Sequence, residues 1–499
     1  MNKKIIITLL TSIIGLSSIM TADGAVTETK QVNGVVLQKI RVPKTHYELG
    51  METADYPPNT AKNSHMHSGV TLVYVLEGEI VLNMEGQPAK TFKAGESFPY
   101  PAYAVHETKS GPKGAKVLAT WVGEQGKPIS LPAPSNSYAI SNKKINDLAH
   151  AFMQENKVEG MSIAVINKDK TRIFNYGFAN KLKNIPTTSN TIYTIASFTK
   201  TFTATLAAIA SVDEKLNLDA PFIKYYPELK NENNLNKITT NELLAHVSSF
   251  PFDFEPRPTT YPALVNSLNQ FRSQRAPGSE YSYSNAGIGT VGYVLQNIYA
   301  KNYQEILADK ILKPLNMNST YLHVPMEKEK YIAVGHDQNN KIVPYTKNIE
   351  VWFAAASLKS TISDMAKYLN AHINYSSIND KNLSKAISLV HENKYCFVDK
   401  ISCEQLAWQA HVISQLNKST GDSYFINYDK DGNPLFDTKK IIENKAFADN
   451  RIFIEKTASG YGMSSYMVYI PDQKTGVVIL LNKSIGDERI KLGRDILKR

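Results

Sequence analysis

Between Gly123 and Asn142 the chain reads GEQGKPISLPAPSNSYAISN, where Pro, Gly, Ser and Asn leave no apolar period for a strand or a helix to use. A run of that composition divides what folds around it, so the 499 residues are read as two folded bodies joined by a linker over 123–142. At roughly 100 to 200 residues per domain the length allows this, with ample core. Residues 26–122 hold short alternating segments bounded by Gly and Pro, such as Val70 to Leu76 and Glu79 to Met84. They predict a small all-β domain. In residues 143–499, Ile145, Leu148, Ala149, Phe152 and Met153 recur at helical spacing, and Met161 to Ile166 with Arg172 to Tyr176 read as paired strands. Strand patterns return at Ser464 to Ile470 and Val477 to Leu481, with helical segments between. One mixed α/β domain follows, its sheet closed by both ends of the segment.

The first residues carry an address. Lys3 and Lys4 precede an apolar run from Ile5 to Met20, and small residues follow at Ala22 and Gly24. This is the layout of a secretory signal peptide over 1–24. The run is shorter than the ~20 apolar residues of a membrane span and is diluted by Thr8, Thr11, Ser12 and Ser17, so no stable membrane span is expected. The mature chain is expected to be periplasmic or secreted. Cys396 and Cys403 are the two cysteines, and in an oxidising compartment so close a pair reads as a local disulfide stapling a surface loop. The formal charge of +10 is modest for this length, and no dense basic block with interleaved aromatics supports nucleic-acid binding. A weakly basic surface is first a solubility feature, and secondly suited to carboxylate-bearing ligands.

His65 and His67 stand in NSHMHSGVTLVYVLEGE, and i, i+2 spacing on a strand points both imidazoles to one face, as two ligands of one metal require. GESFPYPAYAVHE follows, with Gly95, Pro101 and His106. These two segments resemble the motifs of the cupin family of small β-barrels. The resemblance implies a divalent metal held by His65, His67 and His106, with Zn or Fe(II) both compatible. Cupins usually add a Glu four residues after the second His. Thr71 stands there instead, so the alternative is a barrel kept for ligand binding or stability without its metal.

Ser197-Phe198-Thr199-Lys200 is an S-x-x-K tetrad, and so are Ser110 to Lys113 and Ser141 to Lys144. Only Ser197 precedes an apolar, Ala-rich helical run; the other two lie in sequence read as turn and linker. A serine at that helix start, with Lys200 one turn on, has backbone amides for a developing oxyanion and a lysine to take its proton. Downstream come Tyr283-Ser284-Asn285 and Lys456-Thr457-Ala458-Ser459, the latter leading into a strand. In this order and setting, residues 143–499 resemble the serine β-lactamase and penicillin-binding-protein family, closest to class C. The resemblance implies an antiparallel sheet flanked by helices plus a mainly helical subdomain, and no cofactor for catalysis. It makes Ser197 the acylated nucleophile, with Lys200 and Tyr283 as a coupled proton-handling pair. Asn285 would contact Lys200 and the substrate amide, while Lys456 and Thr457 would face the substrate carboxylate. Backbone N–H groups of Ser197 and Ser459 would form the oxyanion hole. Lys474-Thr475-Gly476 matches the family's K-T-G by letter but reads as a hairpin turn.

Three departures bear on substrate. Ala458 replaces the usual Gly and brings a methyl to the strand that lines the substrate. Asp253 stands where class C enzymes carry a Gln that holds the acyl side-chain amide. Asp487 stands where an Asn helps class C enzymes hold the substrate carboxylate, while Arg489 is near the expected Arg but not aligned with it. These changes leave the acyl-transfer residues intact and weaken the case for efficient cephalosporin hydrolysis. The reaction that the resemblance implies is β-lactam hydrolysis through an acyl-enzyme, with a D-alanyl-D-alanine carboxypeptidase, D-amino-acid peptidase or esterase as the alternative. The expected partner is a small β-lactam or a peptidoglycan-type peptide. A non-catalytic sensing protein built on the cupin is a third reading.

Overall fold

A computed structural model describes residues 32–498 except 44, 46, 68, 85–88, 102–103, 105, 127, 133–139, 231, 346–350, 393–394, 399–400, 418–425, 429–433, 437–438 and 443–450. The expected signal peptide over 1–24 and part of the expected linker lie outside the described residues. Two compact units divide between Ser135 and Asn136.

The first unit is an eight-stranded sheet of β1 (Asn33–Arg41), β2 (Tyr47–Tyr56), β3 (Ala61–His67), β4 (Val70–Met84), β5 (Lys90–Lys93), β6 (Ser97–Tyr100), β7 (His106–Glu124) and β8 (Ser130–Pro132). The order is β1-β2-β7-β3-β8, with β4 pairing to β5, β6 and β7. Alternation sets the core: Val73, Val75, Ile80 and Leu82 of β4 point inward onto Phe98 and Val117. The two segments expected in 70–84 are one strand, whose register with β7 shifts on either side of Glu77 and Gly78. Gly78 has φ 72°, and a Cβ there would stand 2.1 Å from the Gly114 carbonyl oxygen, so the bulge needs glycine. Part of the 123–142 run is not linker. Its Ser130–Pro132 segment pairs with β3 at His65, Met66 and His67, because an extended Ser-Leu-Pro can add a short edge strand despite its proline.

The second unit is built on a sheet in which α1 (Asn142–Asn156) precedes the hairpin β9 (Gly160–Asn167) and β10 (Lys170–Asn180). From the other end of the chain come β11 (Ser402–Glu404), β12 (Gln409–Val412), β13 (Ile452–Gly460), β14 (Met463–Ile470) and β15 (Thr475–Leu481). Within the sheet the order is β10-β9-β15-β14-β13-β12-β11, every pair antiparallel. Both ends of the segment thus close one sheet, Leu481 lying opposite Met161. On one face α1 and the C-terminal helix α5 (Glu488–Leu497) pack Ile145, Phe152, Ile490 and Ile496 onto Ile163, Tyr466 and Ile479. The larger core contains α2 (Thr199–Val212), α3 (Asn285–Tyr299) and α4 (Phe353–Ala356). Every residue of α2 from Thr199 to Ala210 is buried, four threonines and Lys200 included, so the helix is enclosed by its domain.

Three local expectations change. Cys396 and Cys403 form a disulfide, but they sit opposite one another on adjacent antiparallel strands and are fully buried, so the staple lies inside the sheet and not on a surface loop. Ser110 lies in β7, not in a turn, and its hydroxyl donates to the Pro57 carbonyl. Ser141 is the N-cap of α1, accepting from the Lys144 amide at 3.2 Å, while the Lys144 ammonium donates to the Lys498 carbonyl. Lys474 ends a turn at φ 50° between β14 and β15 and is exposed, as a hairpin lysine should be.

Candidate active site

Ser197 sits in a 3-10 turn, Ala196–Phe198, that runs directly into α2. Ala196 takes φ 39°, a conformation uncommon for alanine, so the chain enters the helix through a sharp turn that presents the serine. Lys200, one turn on, is completely buried. Its ammonium lies 3.3 Å from Ser197 Oγ and donates to Asn285 Oδ1 at 2.7 Å and to the Ala355 carbonyl of α4 at 2.9 Å. Tyr283 Oη donates to the same Ser197 Oγ at 2.9 Å. Three of the residues singled out in sequence therefore meet at one hydroxyl, and Asn285 holds the lysine from behind.

The Tyr-Ser-Asn turn is fixed by its own bonds. Ser284 caps α3, accepting from the Gly287 amide at 2.8 Å and donating to the Pro251 carbonyl at 2.6 Å. The amides of Asn285 and Ala286 donate to the Phe252 carbonyl. His246 accepts from the Ser284 amide at 3.1 Å through Nδ1, and its ring packs 4.3 Å from that of Tyr283. It is completely buried with φ 60°, and Nε2 has no partner among the described residues.

The strand β13 closes the other side. A Cβ added at Gly460 would come 3.3 Å from the Cβ of Ala196, so this strand runs against the turn that bears Ser197. Lys456 is buried, with Nζ 5.3 Å from the Tyr283 ring centroid; Lys200 Nζ is 4.8 Å from the same centroid. Thr457 is half-buried and Ser459 exposed, while Ala458 is 3% exposed within the large core. The Ala458 methyl is thus buried on the same face of the strand as Lys456. Asp253 is half-buried and ion-paired with Arg257 at 3.4 Å. Arg489 is occupied elsewhere: it is buried and donates to the carbonyls of Ser465, Ile485 and Gly486. Asp487 precedes α5, where burial pushes its carboxyl up to about 6.

Burial governs the charges. It drives the Lys200 ammonium well below the ordinary lysine value; the nearby Lys456 charge pushes the same way and Asp253 opposes. Burial likewise raises the Tyr283 phenol above its usual value. Lys456 is lowered by burial and partly restored by the carboxylate of Glu404, which is itself raised by burial and lowered by Lys456. Glu404 ends β11, is 1% exposed, and accepts from Gln409 Nε2 at 2.8 Å. Neither Glu404 nor His246 was singled out from sequence. The segment LLAHVSSF resembles the family around His246, but nothing local marks Glu404, which reaches the site only through strand pairing.

In the barrel, His65 and His106 face each other across β3 and β7, and His67 is two residues along the same face. One nitrogen from each of the three lies within 4.8 Å of the others, and all three rings are buried. His65 Nδ1 bonds to the Asn63 carbonyl at 2.8 Å and His106 Nδ1 to the Ala104 carbonyl at 2.9 Å. A carbonyl can only accept, so Nδ1–H of His65 and His106 donates and Nε2 of these two rings keeps its lone pair, the tautomer that a metal ligand needs. His106 Nε2 is buried with no hydrogen-bond partner among the described residues. The residues present fit a metal ion.

Comparison with known proteins finds relatives for both units. Residues 53–122 match the family model of the cupin domain, and residues 145–498 match that of beta-lactamase. A beta-lactamase of Providencia stuartii is 30% identical over 363 residues, covering 72% of this chain and 91% of that protein. A beta-lactamase of Escherichia coli K12 is 27% identical, covering 71% and 93%. Among solved structures, a beta-lactamase/D-alanine carboxypeptidase from Pseudomonas syringae has a TM-score of 0.64 at 27% identity, covering 71% of this chain and 98% of that one. A class C beta-lactamase has a TM-score of 0.63 at 26% identity, covering 71% and 96%. A serine, a buried lysine and a tyrosine meeting at one hydroxyl, on a chain matched over most of its length, make this protein a serine hydrolase of the beta-lactamase family that carries a cupin domain.

Proposed function

We propose that the protein hydrolyses β-lactams through an acyl-enzyme on Ser197. The observation that carries this is the convergence of Lys200 Nζ and Tyr283 Oη on Ser197 Oγ, with Lys200 completely buried. An isolated serine hydroxyl cannot lose its proton near neutral pH, but a lysine whose charged form is disfavoured by burial is suited to accept it. Ser197 Oγ attacks the lactam carbonyl carbon and its proton passes to Lys200. The ring C–N bond then breaks, and the leaving nitrogen takes a proton through Tyr283. Water next attacks the ester carbonyl, giving a proton to the Lys200 and Tyr283 pair, and Ser197 leaves as the hydroxyl. Asn285 holds Lys200 and receives the substrate amide. Lys456 and Thr457 face the substrate carboxylate, and the Ser197 and Ser459 amides take the oxyanion. Intact-protein mass followed in time after adding a cephalosporin tests this. An adduct absent from Ser197→Ala and clearing as the drug is consumed is expected.

Asp253 favours a second reading of the same chemistry. A carboxylate at the acyl side of the site cannot donate to the acyl amide of a cephalosporin when ionised. An adduct that persists would make the protein a D-alanyl-D-alanine carboxypeptidase, D-amino-acid peptidase or esterase. The Pseudomonas syringae structure is described by both activities. The leader expected over 1–24 and the Cys396–Cys403 disulfide support action in the periplasm or outside the cell. No helix among the described residues is long and apolar enough to cross a membrane.

For the barrel, the reading is a single divalent ion, Zn or Fe, on His65, His67 and His106. Such an ion supplies a Lewis-acid centre when bound. Elemental analysis of the purified full chain, against His65→Ala and His106→Ala, tests this, with one ion per wild-type chain expected.

A further inference from the structure

We infer that His246 is the positioning residue of the serine site: it holds Tyr283 within hydrogen-bond reach of Ser197 by accepting the backbone amides on both sides of that tyrosine. This rests on the acyl-enzyme reading above.

Tyr283 Oη meets Ser197 Oγ at 2.9 Å, and a displacement of about 1 Å in such a contact costs on the order of 100-fold in rate. The backbone that carries the phenol therefore has to be fixed. Both of its neighbours hang on His246. The Ser282 amide donates to the His246 carbonyl at 2.7 Å, and the Ser284 amide donates to His246 Nδ1 at 3.1 Å. A segment lying beside another chain would give its second bond to a further backbone carbonyl, but that of Leu244, two residues away, is taken by the Ala407 amide at 3.0 Å. The imidazole supplies the acceptor that the backbone lacks there. His246 takes φ 60°, and from that conformation its carbonyl and its ring serve the same segment. The ring also lies 4.3 Å from that of Tyr283, so His246 backs the main chain and the side chain together.

The proton of the imidazole has one place. A backbone amide can only donate, so Nδ1 carries the lone pair and the proton sits on Nε2. Burial disfavours the doubly protonated ring, and the charges of Lys456 and Lys200 push the same way, so Nδ1 stays an acceptor. Nε2–H is buried with no hydrogen-bond partner among the described residues. An apolar ring would leave one donor unmade, the Ser284 amide, and the imidazole also leaves one, its own Nε2–H. The exchange gains little stability, and it moves the satisfied bond to the backbone beside Tyr283.

The test measures the rate constant for acylation of Ser197 by a cephalosporin in the full mature chain, followed by intact-protein mass. His246→Phe keeps a ring and lacks the acceptor, whereas His246→Asn restores an acceptor through Oδ1 and tolerates the left-handed backbone. His246→Phe should slow acylation about 100-fold with the apparent Kd of the drug within about threefold, and His246→Asn should recover about tenfold of that loss. In a Tyr283→Phe background, adding His246→Phe should cost less than about threefold more, because the hydroxyl it positions is already gone. Crystal structures should show Tyr283 Oη withdrawn from Ser197 Oγ in His246→Phe and returned in His246→Asn. Losses that multiply in the double variant would overturn the inference, as would wild-type acylation by His246→Phe or an Asn variant no faster than it. Should His246→Phe not fold, His246→Ala takes its place in the same cycle. A wild type that the drug does not acylate would overturn the lactam reading, and the crystal structures would then decide this one, Tyr283 unmoved in the variant overturning it.

Discussion

The barrel gathers three reactive side chains and the hydrolase unit four, and they do so by opposite routes. In the barrel, His65, His67 and His106 lie on two neighbouring antiparallel strands, and register alone brings them together. In the hydrolase unit, Ser197, Lys200, Tyr283 and Lys456 come from a helix start, a capped turn and a strand far apart in sequence, locked by bonds such as Lys200 to Asn285 and to Ala355. Burial then acts alike in both. It removes the proton from groups that water would leave charged or half-charged: His65 and His106 are held down to about 4, and Lys200 far below an ordinary lysine. A strand-built site can thus be read from spacing, whereas a site assembled across a domain depends on packing that spacing does not record.

The sharpest way to break this comparison is to disable each site and ask whether the other notices. Ser197→Ala should lower β-lactam turnover by about 10⁴-fold or more, measured by loss of lactam absorbance. The pair His65→Ala and His67→Ala should leave turnover within about twofold. A matching collapse in the histidine variants would mean that the barrel takes part in catalysis.

Stability should separate the units next. Glu455, behind Lys456 on β13, is 1% exposed and pairs with Arg494 of α5 at 2.8 Å, with Tyr466 donating to it as well. Glu455→Ala leaves the buried Arg494 without its carboxylate, which should cost ~3–5 kcal/mol in the denaturation of the hydrolase unit. The barrel transition should stay in place. Glu455 is held down to about 2 from an ordinary 4.5, burial opposing and the bonds to its partners prevailing. The unfolded chain binds the proton first, so this contribution is present above pH 4.5 and is lost as pH falls toward about 2. Acid titration of wild type against Glu455→Gln should show that loss only in wild type.

Smaller effects probe Lys456. Its ammonium is lowered by burial, so raising the pH from about 7 to 10 should remove the charge and raise KM for an anionic β-lactam about tenfold. KM for an uncharged ester should stay flat. Smallest is Glu404→Gln, which removes the carboxylate that supports the Lys456 charge. It should raise KM for the anionic substrate about threefold and shift the alkaline limb to lower pH, with kcat little changed. An unmoved limb would show that Glu404 does not position the Lys456 charge.

The S-x-x-K pattern marks the limit of local reading. Ser141 to Lys144 also proved to start a helix, and Ser141 caps it, yet its lysine is spent on a terminal carbonyl. What separates Ser197 is the completely buried Ala-rich helix behind it and the tyrosine that reaches its hydroxyl. His246 and Glu404 went unnoticed because a lone histidine or glutamate carries no period. His246 acts through a left-handed turn and a backbone amide, and Glu404 through the register of two strands. Arg489 and Ala458 show the converse. Ala458 stands on the strand expected to line the substrate and fills the core, while Arg489, near the expected Arg but not aligned with it, serves backbone carbonyls.

The sequence by itself determined the two bodies, the strand and helix periods, the histidine face of β3, and the order of Ser197, Lys200, Tyr283, Asn285 and Lys456. Periodicity and capping are local, so a linear string records them. Tertiary structure alone decided that Lys200 is sealed from water, that Ala355 joins Asn285 in holding it, that the cysteines pair inside a sheet, and that the Thr71 hydroxyl is buried without a partner among the described residues. Each of these depends on which distant residues exclude solvent from a given atom, and solvent exclusion belongs to the packed chain.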